Sequence, residues 1–271
     1  MFNEHWSMDE LYMDVMNRLR EGGESVGNTL ELTNETNTLM SSDAIMITEK
    51  NRKFKPDYAI AEYLWYVGMD RKVGHFGEMA KIWDDIKDSN GEVESNYGSY
   101  IFEPDMWRKT HNELIKFPDS RRAVIPILDK EHIGKNKKDY PCTGFVQFYI
   151  RDHMLHLTWN MRSQDVIFGM ANDFFAASMI LQTMLNELNH RGMNIILGYT
   201  TFAVTSLHIY ERHFDLLERF HEVDREAPQF GLSEGITLPE IERRWAISPE
   251  MNKTEIQWRV DAFKEQATWS A

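Results

Sequence analysis

Two apolar runs separated by a short polar break constrain the fold of this chain more than any other feature. Residues 144–150 and 154–161 are rich in aromatic and β-branched side chains, and a polar Arg-Asp-His segment lies between them. Such side chains favour strands, and a short polar break between two strand-like runs is typical of a hairpin. The sequence therefore predicts a β-hairpin with Cys142 at its mouth.

Cys142 is the only cysteine of the chain. An internal disulfide is therefore excluded, and so is a zinc nucleobase deaminase, which needs a Cys-x-x-Cys pair. Free cysteines are often buried and inert. However, Arg162 and Ser163 follow the second predicted strand, and a guanidinium beside a thiol favours the thiolate and lowers the thiol pKa. By itself this segment fits either a buried structural thiol or a nucleophile.

The composition predicts one domain spanning residues 1–271, with 42% apolar residues to form its core. The 43 acidic and 30 basic residues give a net charge of −13, which argues against nucleic-acid binding but leaves free nucleotides as ligands. We find no run of about 20 apolar residues that would span a membrane, and residues 1–20 lack the apolar core of a signal peptide. We therefore expect a protein of the reducing cytoplasm with no membrane partner.

Capping signals, periodicity and breaker residues predict the remaining elements. Helices are expected from Ser7 to Gly22 and from Ala171 to Gly192, where apolar residues recur at helical spacing before a glycine. Further predicted helices cover residues 56–67, 76–86, 106–117, 209–223, 238–245 and 251–266. Predicted strands cover residues 29–33, 44–48, 123–128 and 194–204, and predicted polar loops cover residues 34–38 and 129–138.

Seven short blocks then carry a resemblance to a known family. Three of them are Pro-Cys-Thr-x-x-x-Gln-Phe from Pro141, Arg-Ser-x-Asp-x-x-x-Gly from Arg162, and Ser-Leu-His-Ile-Tyr-x-x-His from Ser206. The other four are Glu-Tyr-Leu-Trp-Tyr from Glu62, Ile-Trp-Asp from Ile82, Asn-Tyr-Gly from Asn96 and Asp-Ser-Arg-Arg from Asp119. In order and spacing they resemble the signature blocks of the thymidylate synthase superfamily. The resemblance is clearest over residues 56–216, and residues 235–271 diverge from it.

This resemblance implies an α+β fold, in which helices pack on a large mixed or antiparallel sheet and one sheet face forms a homodimer interface. It also implies an enzyme in which a cysteine thiolate adds to C6 of a pyrimidine nucleotide. C5 then takes a one-carbon unit from 5,10-methylenetetrahydrofolate, and no metal is needed.

Roles for individual residues follow from the resemblance. The catalytic residues would be Cys142 as nucleophile, Glu62 as organiser of the attacking water, Tyr97 as an aid to proton removal at C5, and Asp173 as reader of the base. From the sequence pattern alone, Glu62 could equally be a solvated carboxylate on the back of its helix. A phosphate-binding arginine of the family, expected between Glu21 and Asn51, is missing.

The resemblance also implies the ligand-binding residues. Arg162 and Ser163, together with the partner's Arg121 and the partner's Arg122, would hold the phosphate. The deoxyribose would contact His208 and Tyr210, and the folate would contact Trp83 and Asp165.

Two departures from the synthases bear on the substrate. Asp173 stands where synthases have asparagine, and Thr143 stands where they usually have histidine. A protonated carboxyl can donate to N3 of cytosine and accept from its amine, whereas uracil presents the opposite pattern. With these changes the chain is more similar to the deoxycytidylate hydroxymethylase branch of T-even bacteriophages.

We therefore expect a dCMP 5-hydroxymethyltransferase that makes 5-hydroxymethyl-dCMP and tetrahydrofolate. The alternatives are a thymidylate synthase acting on dUMP, a CMP hydroxymethylase, and a catalytically silent nucleotide-binding scaffold.

Overall fold

A computed structural model describes residues 2–135, 138–220 and 228–270 of the chain. The strands are β1 (Phe2–His5), β2 (Glu24–Val26), β3 (Thr29–Leu39), β4 (Val124–Pro126), β5 (Thr143–Arg151), β6 (Met154–Asp165), β7 (Ile196–Tyr210), β8 (Gln229–Leu232) and β9 (Ala267–Ser270). The α-helices are α1 (Met8–Gly22), α2 (Pro56–Val67), α3 (Ile82–Ile86), α4 (Gly98–Ile101), α5 (Pro104–Lys116), α6 (Ala171–His190), α7 (Leu238–Trp245) and α8 (Lys253–Lys264). Shorter turns are the 3₁₀ segments Gly74–Glu78 and Glu211–Glu218 and the π segment Val166–Met170.

The first seven strands form one mixed sheet in the order β1-β3-β7-β6-β5-β4, and β2 pairs with β3. Two pairings, β1 with β3 and β6 with β7, are parallel, and the other four are antiparallel. β8 and β9 form a separate antiparallel ribbon. The expected α+β architecture with a mixed sheet and packed helices is confirmed.

The hairpin predicted from the apolar runs is confirmed as β5 and β6. Its connection places Asp152 and His153 at φ +50° and +61°. Two successive residues of positive φ give a turn whose twist matches that of the flanking strands. Cys142 directly precedes β5, so the predicted position of the thiol at the mouth of the hairpin is also confirmed.

The long helix predicted from residue 171 is confirmed as α6, and it is the centre of the core. It is buried on nearly all sides, and Phe174 packs against Phe202 of β7 with ring centroids 4.2 Å apart. By length and hydropathy Val166–His190 could cross a membrane, but 83% of its most apolar window is buried inside the fold. The core of a soluble fold has the same composition, and burial accounts for this helix.

The predictions for residues 29–48 are partly wrong. Residues 34–38, expected as a polar loop, continue β3, because β7 pairs with them along almost their whole length. Residues 44–48, expected as a strand, are irregular. Their backbone bonds instead to the region of α1: Met8 donates to the carbonyl of Ala44, and Thr48 donates its N–H and hydroxyl to the carboxylate of Asp9. Tertiary pairing here overrides local polarity.

Two helix predictions also need correction. Residues 76–86 contain a 3₁₀ turn and the separate short α3, not one helix. The helix predicted over residues 209–223 begins only at residue 211 and is 3₁₀, because Ile209 and Tyr210 still pair with β3. The part of that prediction over residues 221–223 lies outside the described residues. The helices predicted at 56–67, 106–117, 238–245 and 251–266 are confirmed within two residues at each end.

Candidate active site

The cysteine is held in a short segment that Arg162 ties to the hairpin. The Arg162 guanidinium donates from Nε to the carbonyl of Pro141 at 3.0 Å and from Nη2 to that of Tyr140 at 2.9 Å. The same Nη2 lies 3.6 Å from Sγ of Cys142, and the backbone N–H of Arg162 donates to the carbonyl of Cys142. The expected contact between thiol and guanidinium is therefore present.

The expected lowering of the thiol pKa is not found. Burial raises the pKa of Cys142 to about 11, Arg162 lowers it only in part, and the charges of Asp173, Asp139 and Asp165 raise it further. Removal from water disfavours the thiolate. This effect is larger than the stabilisation by the Arg162 guanidinium, which also donates to two carbonyls. With a pKa of about 11, Cys142 is therefore a thiol at neutral pH.

Asp173 lies in the first turn of α6, close to the same acidic groups. Its Oδ2 accepts a hydrogen bond from Nε2 of Gln164 at 2.9 Å. Burial raises the pKa of Asp173 to about 6, with Gln164 lowering it and Asp165 raising it. This carboxyl can therefore be either protonated or ionised near neutral pH.

Glu62 lies on α2 with only 6% of its surface exposed. The hydroxyl of Tyr58 donates to its Oε1 at 2.6 Å, and the indole N–H of Trp83 donates to that same hydroxyl at 2.9 Å. Burial raises the pKa of Glu62 to about 8, Tyr58 lowers it, and the charge of Asp173 raises it. Of the two interpretations left open by the sequence, the structure supports the buried carboxylate in the site.

Tyr97 lies beside the segment that holds Cys142. Its hydroxyl accepts a hydrogen bond at 3.2 Å from the backbone N–H of Cys142, and only 6% of the residue is exposed. Burial and the nearby Cys142 raise the pKa of Tyr97 well above its ordinary value. Thr143 is fully buried and accepts from the indole N–H of Trp159 at 2.8 Å, so it faces the core.

The parallel pairing of β6 with β7 brings two of the sequence blocks side by side. Ser163 pairs with Ser206, and Asp165 pairs with His208. Tyr210 follows on β7, with its ring 5.1 Å from that of His208 and nearly perpendicular to it. Oδ1 of Asp165 accepts from the N–H groups of residues 167 and 168, which fixes the π segment that leads into α6.

Arg121 and Arg122 lie apart from this cluster. Both are exposed, and together with Lys116 and Phe117 they line an open pocket of about 480 Å³. Arg122 approaches Glu113 at 3.5 Å. Within the described part of the chain, no hydrogen bond or ion pair joins either arginine to Cys142.

Three contributors to the site were not predicted. Tyr58 lies one helical turn before Glu62, and this i, i+4 spacing was a usable signal. Gln164 lies inside the Arg-Ser-x-Asp block at a variable position. Asp139 accepts from the N–H and hydroxyl of Ser95 at 2.7 and 2.6 Å, which ties the nucleophile segment to the segment of Tyr97, and no sequence pattern indicated that contact. Among the residues described, no group of three or more His, Cys, Asp or Glu could hold a metal.

Comparison of the sequence with known proteins identifies relatives of this chain. The sequence profile described as "Thymidylate synthase" matches residues 10–243, a wider range than the seven blocks cover. The deoxycytidylate 5-hydroxymethyltransferase of Enterobacteria phage T4 is 33% identical over 174 residues, which cover 60% of this chain and 71% of that protein. The thymidylate synthase of Fusobacterium nucleatum subsp. nucleatum is 28% identical over 192 residues, covering 68% of this chain and 66% of that one.

A solved structure supports the fold. Thermostable thymidylate synthase A from Bacillus subtilis superposes with a TM-score of 0.70 over 97% of this chain and 94% of that one, at 19% identity. The profile match spans most of the sequence and includes every candidate site residue. The chain therefore belongs to the thymidylate synthase family of one-carbon transferases.

Proposed function

We propose that the protein is a deoxycytidylate 5-hydroxymethyltransferase, with 5,10-methylenetetrahydrofolate as one-carbon donor and water as the final nucleophile. One observation carries this proposal: a carboxyl, not an amide, occupies position 173 beside Glu62 and near Cys142. The similarity to the phage T4 enzyme of that name supports the same substrate.

The carboxyl of Asp173 reads the base by donating and accepting at once. Cytosine presents an acceptor at N3 and an amine beside it, so one oxygen of a protonated Asp173 donates to N3 while the other accepts from the amine. Because the pKa of Asp173 is about 6, protonating the carboxyl at neutral pH costs little. A carboxyl with the ordinary pKa of 3.8 would be almost fully ionised at neutral pH, so this pairing would be much weaker.

The covalent steps use three residues. After losing its proton, Cys142 attacks C6, and the electrons of the C5–C6 double bond form a bond from C5 to the methylene carbon of the co-substrate, while one of the two bonds from that carbon to nitrogen breaks and the freed nitrogen takes up a proton. C5 then loses its proton, with Tyr97 assisting, and tetrahydrofolate leaves with the electron pair of its carbon–nitrogen bond. Glu62 takes a proton from water as the water oxygen binds the exocyclic methylene. The sulfur–C6 bond then breaks.

The remaining residues bind and orient. Arg162 and Ser163 hold the phosphate, and His208 and Tyr210, side by side on β7, contact the deoxyribose. On the folate side, Asp165 keeps Oδ2 without a hydrogen bond to any described residue, so it can accept from an N–H of the pterin ring. Trp83 lies beside that ring, and through Tyr58 its indole is in hydrogen-bond contact with Glu62.

A second copy of the chain completes the phosphate site. The partner's Arg121 and the partner's Arg122 contribute their cations, which accounts for two arginines on an open surface next to Phe117, itself 44% exposed. A dianionic phosphate favours several guanidinium groups, whereas within one chain Arg162 is already committed to two carbonyls. We place this homodimer in the cytoplasm, in a bacterial host if the protein is encoded by a phage.

Product analysis tests the proposal. The purified protein is incubated with methylenetetrahydrofolate and either dCMP or dUMP. We expect 5-hydroxymethyl-dCMP by mass spectrometry, with no rise in dihydrofolate absorbance. Thymidylate together with dihydrofolate would contradict the proposal. An Asp173→Asn variant should then shift the preference towards dUMP.

Thymidylate synthase activity is the second candidate, because a thymidylate synthase is among the similar proteins and shares the family. The same incubation separates the two. Hydride transfer from the folate produces dihydrofolate, whereas hydration leaves tetrahydrofolate. CMP in parallel with dCMP tests tolerance of a 2′-hydroxyl.

A further inference from the structure

Gln164 is the one residue in the described part of the chain whose side chain donates a hydrogen bond to the carboxyl of Asp173. It lies in β6 with 2% of its surface exposed, and its Nε2 donates to Oδ2 of Asp173 at 2.9 Å. Its Oε1 is buried and has no hydrogen-bond partner among the described residues. A buried amide with one unpaired half costs free energy, so the position of this side chain calls for another explanation. The contact with Asp173 is therefore the feature to explain.

A carboxylic acid by itself does not tell cytosine from uracil. When the oxygen opposite N3 carries the proton, the acid donates to N3 of cytosine and accepts from the amine. When the other oxygen carries the proton, the same acid donates to O4 of uracil and accepts from its N3–H. Discrimination at this position therefore requires that one of the two oxygens is kept as an acceptor.

The two oxygens of Asp173 have different surroundings. Oδ2 accepts from Gln164 and lies close to Gly169, where an added Cβ would sit 3.0 Å from it. Oδ1 makes no hydrogen bond to the described residues, so it is available to a ligand as donor or acceptor. An oxygen that already accepts an N–H bond is the less favourable site for a proton. The proton therefore goes to Oδ1.

We propose that Gln164 is a specificity-determining positioning residue: by donating to Oδ2 of Asp173 it leaves the proton to Oδ1, and so selects an amino-pyrimidine over a keto-pyrimidine. This inference rests on the proposed function, since it assumes that Asp173 reads the base. In the bound state Oδ2 accepts both from Gln164 and from the exocyclic amine, while Oδ1 donates to N3.

The test is the ratio of kcat/KM for dCMP to kcat/KM for dUMP in a Gln164→Met variant, which keeps the length of the side chain and removes the donor. We expect the ratio to fall by about tenfold or more, because the proton can then occupy either oxygen. A ratio that stays within about twofold of the wild-type value would overturn the inference. Gln164→Leu provides a second apolar replacement if the Met variant does not fold.

Gln182→Met is the matched control. Gln182 is also a buried glutamine, but its amide bonds to the backbone of Ser42 and Leu232, away from the site. Its replacement should lower the melting temperature and leave the substrate ratio unchanged. A wild-type protein that shows no preference for dCMP would contradict the proposed function itself. A wild-type preference that survives in Gln164→Met would contradict only the role of Gln164.

Discussion

The buried cluster around Cys142 and the exposed segment that carries Arg121 and Arg122 differ in how complete they are. In the cluster, Glu62, Asp173 and Tyr97 are enclosed by the fold, and burial has raised the pKa of each. In the exposed segment, two cations face an open pocket and contact none of these residues. Under the proposed function, the groups for the covalent chemistry would come from one chain, whereas binding of the phosphate would depend on a second one.

The largest effect should come from the cluster. A Cys142→Ser variant keeps the size of the side chain and replaces the thiol by a hydroxyl of much higher pKa. We expect the rate of product formation to fall on the order of 10⁴-fold or more, with an unchanged melting temperature. A residual rate within tenfold of the wild type would mean that covalent addition to C6 is not required.

The exposed segment should give the next largest effect. An Arg121→Ala, Arg122→Ala double variant should raise KM for the nucleotide, with a loss of about 10²-fold in kcat/KM. Arg108→Ala removes an exposed arginine that forms an ion pair with Asp105 on the same helix, and it should be neutral.

Mixing experiments sharpen this prediction. Unfolding and refolding the arginine double variant together with Cys142→Ser should restore part of the activity, because a mixed dimer contains one site with both the cysteine and the arginines. Failure of the mixture to gain activity would show that the arginines do not cross to a partner.

The pH dependence of dCMP binding tests the cluster from another side. The pKa of Asp173 is about 6, so the free protein is mostly ionised there at pH 7 and must take up a proton to pair with cytosine. The affinity should therefore fall by up to about tenfold for each pH unit above 6. Titration calorimetry in two buffers of different ionisation enthalpy measures the proton uptake, and a value of zero at pH 7.5 would contradict the mechanism.

The smallest effect concerns stability. The pKa of Glu62 is raised from 4.5 to about 8, so its contribution to folding is fully present below pH 4.5 and is lost as pH rises through 8. A Glu62→Gln variant cannot ionise at this position, so at pH 9 it should be more stable than the wild type by at least about 1 kcal/mol, or roughly 2–4 °C, while losing activity. Glu21→Gln replaces an exposed carboxylate and should leave the melting temperature at pH 9 unchanged. Equal melting temperatures for the Glu62→Gln variant and the wild type at pH 9 would mean that the ionised Glu62 does not destabilise the folded protein, which would contradict the prediction.

Features with a local cause could be predicted from the sequence. The hairpin followed from two apolar runs and a polar break, and α6 followed from helical spacing that ends at Gly192. The course of residues 34–48 could not be predicted, since residues 35–39 pair with β7, more than 150 residues further along, and residues 44–48 bond to the start of α1.

The site shows the same limit. The resemblance identified Cys142 and its neighbours, but not the direction of the thiol pKa. That direction depends on how much water the folded chain removes from the thiol and on Asp173 and Asp165, which approach Cys142 only in the folded state. Gln164 escaped prediction because its role comes from a contact with α6, not from its own sequence block.

The parallel alignment of β6 and β7 has a consequence for insertions and deletions. Ser163 lies beside Ser206 and Asp165 beside His208 because the two strands keep one register from the pair of Leu157 and Thr200 to the pair of Asp165 and His208. Since neighbouring residues of a strand point to opposite faces, one residue added in β7 between Thr200 and Ser206 would bring Leu207 to the position of His208 and turn His208 to the opposite face. The connection between α6 and β7 can absorb such a change. We therefore expect a change in the length of that loop to be tolerated, whereas an insertion inside β7 would separate Asp165 from His208.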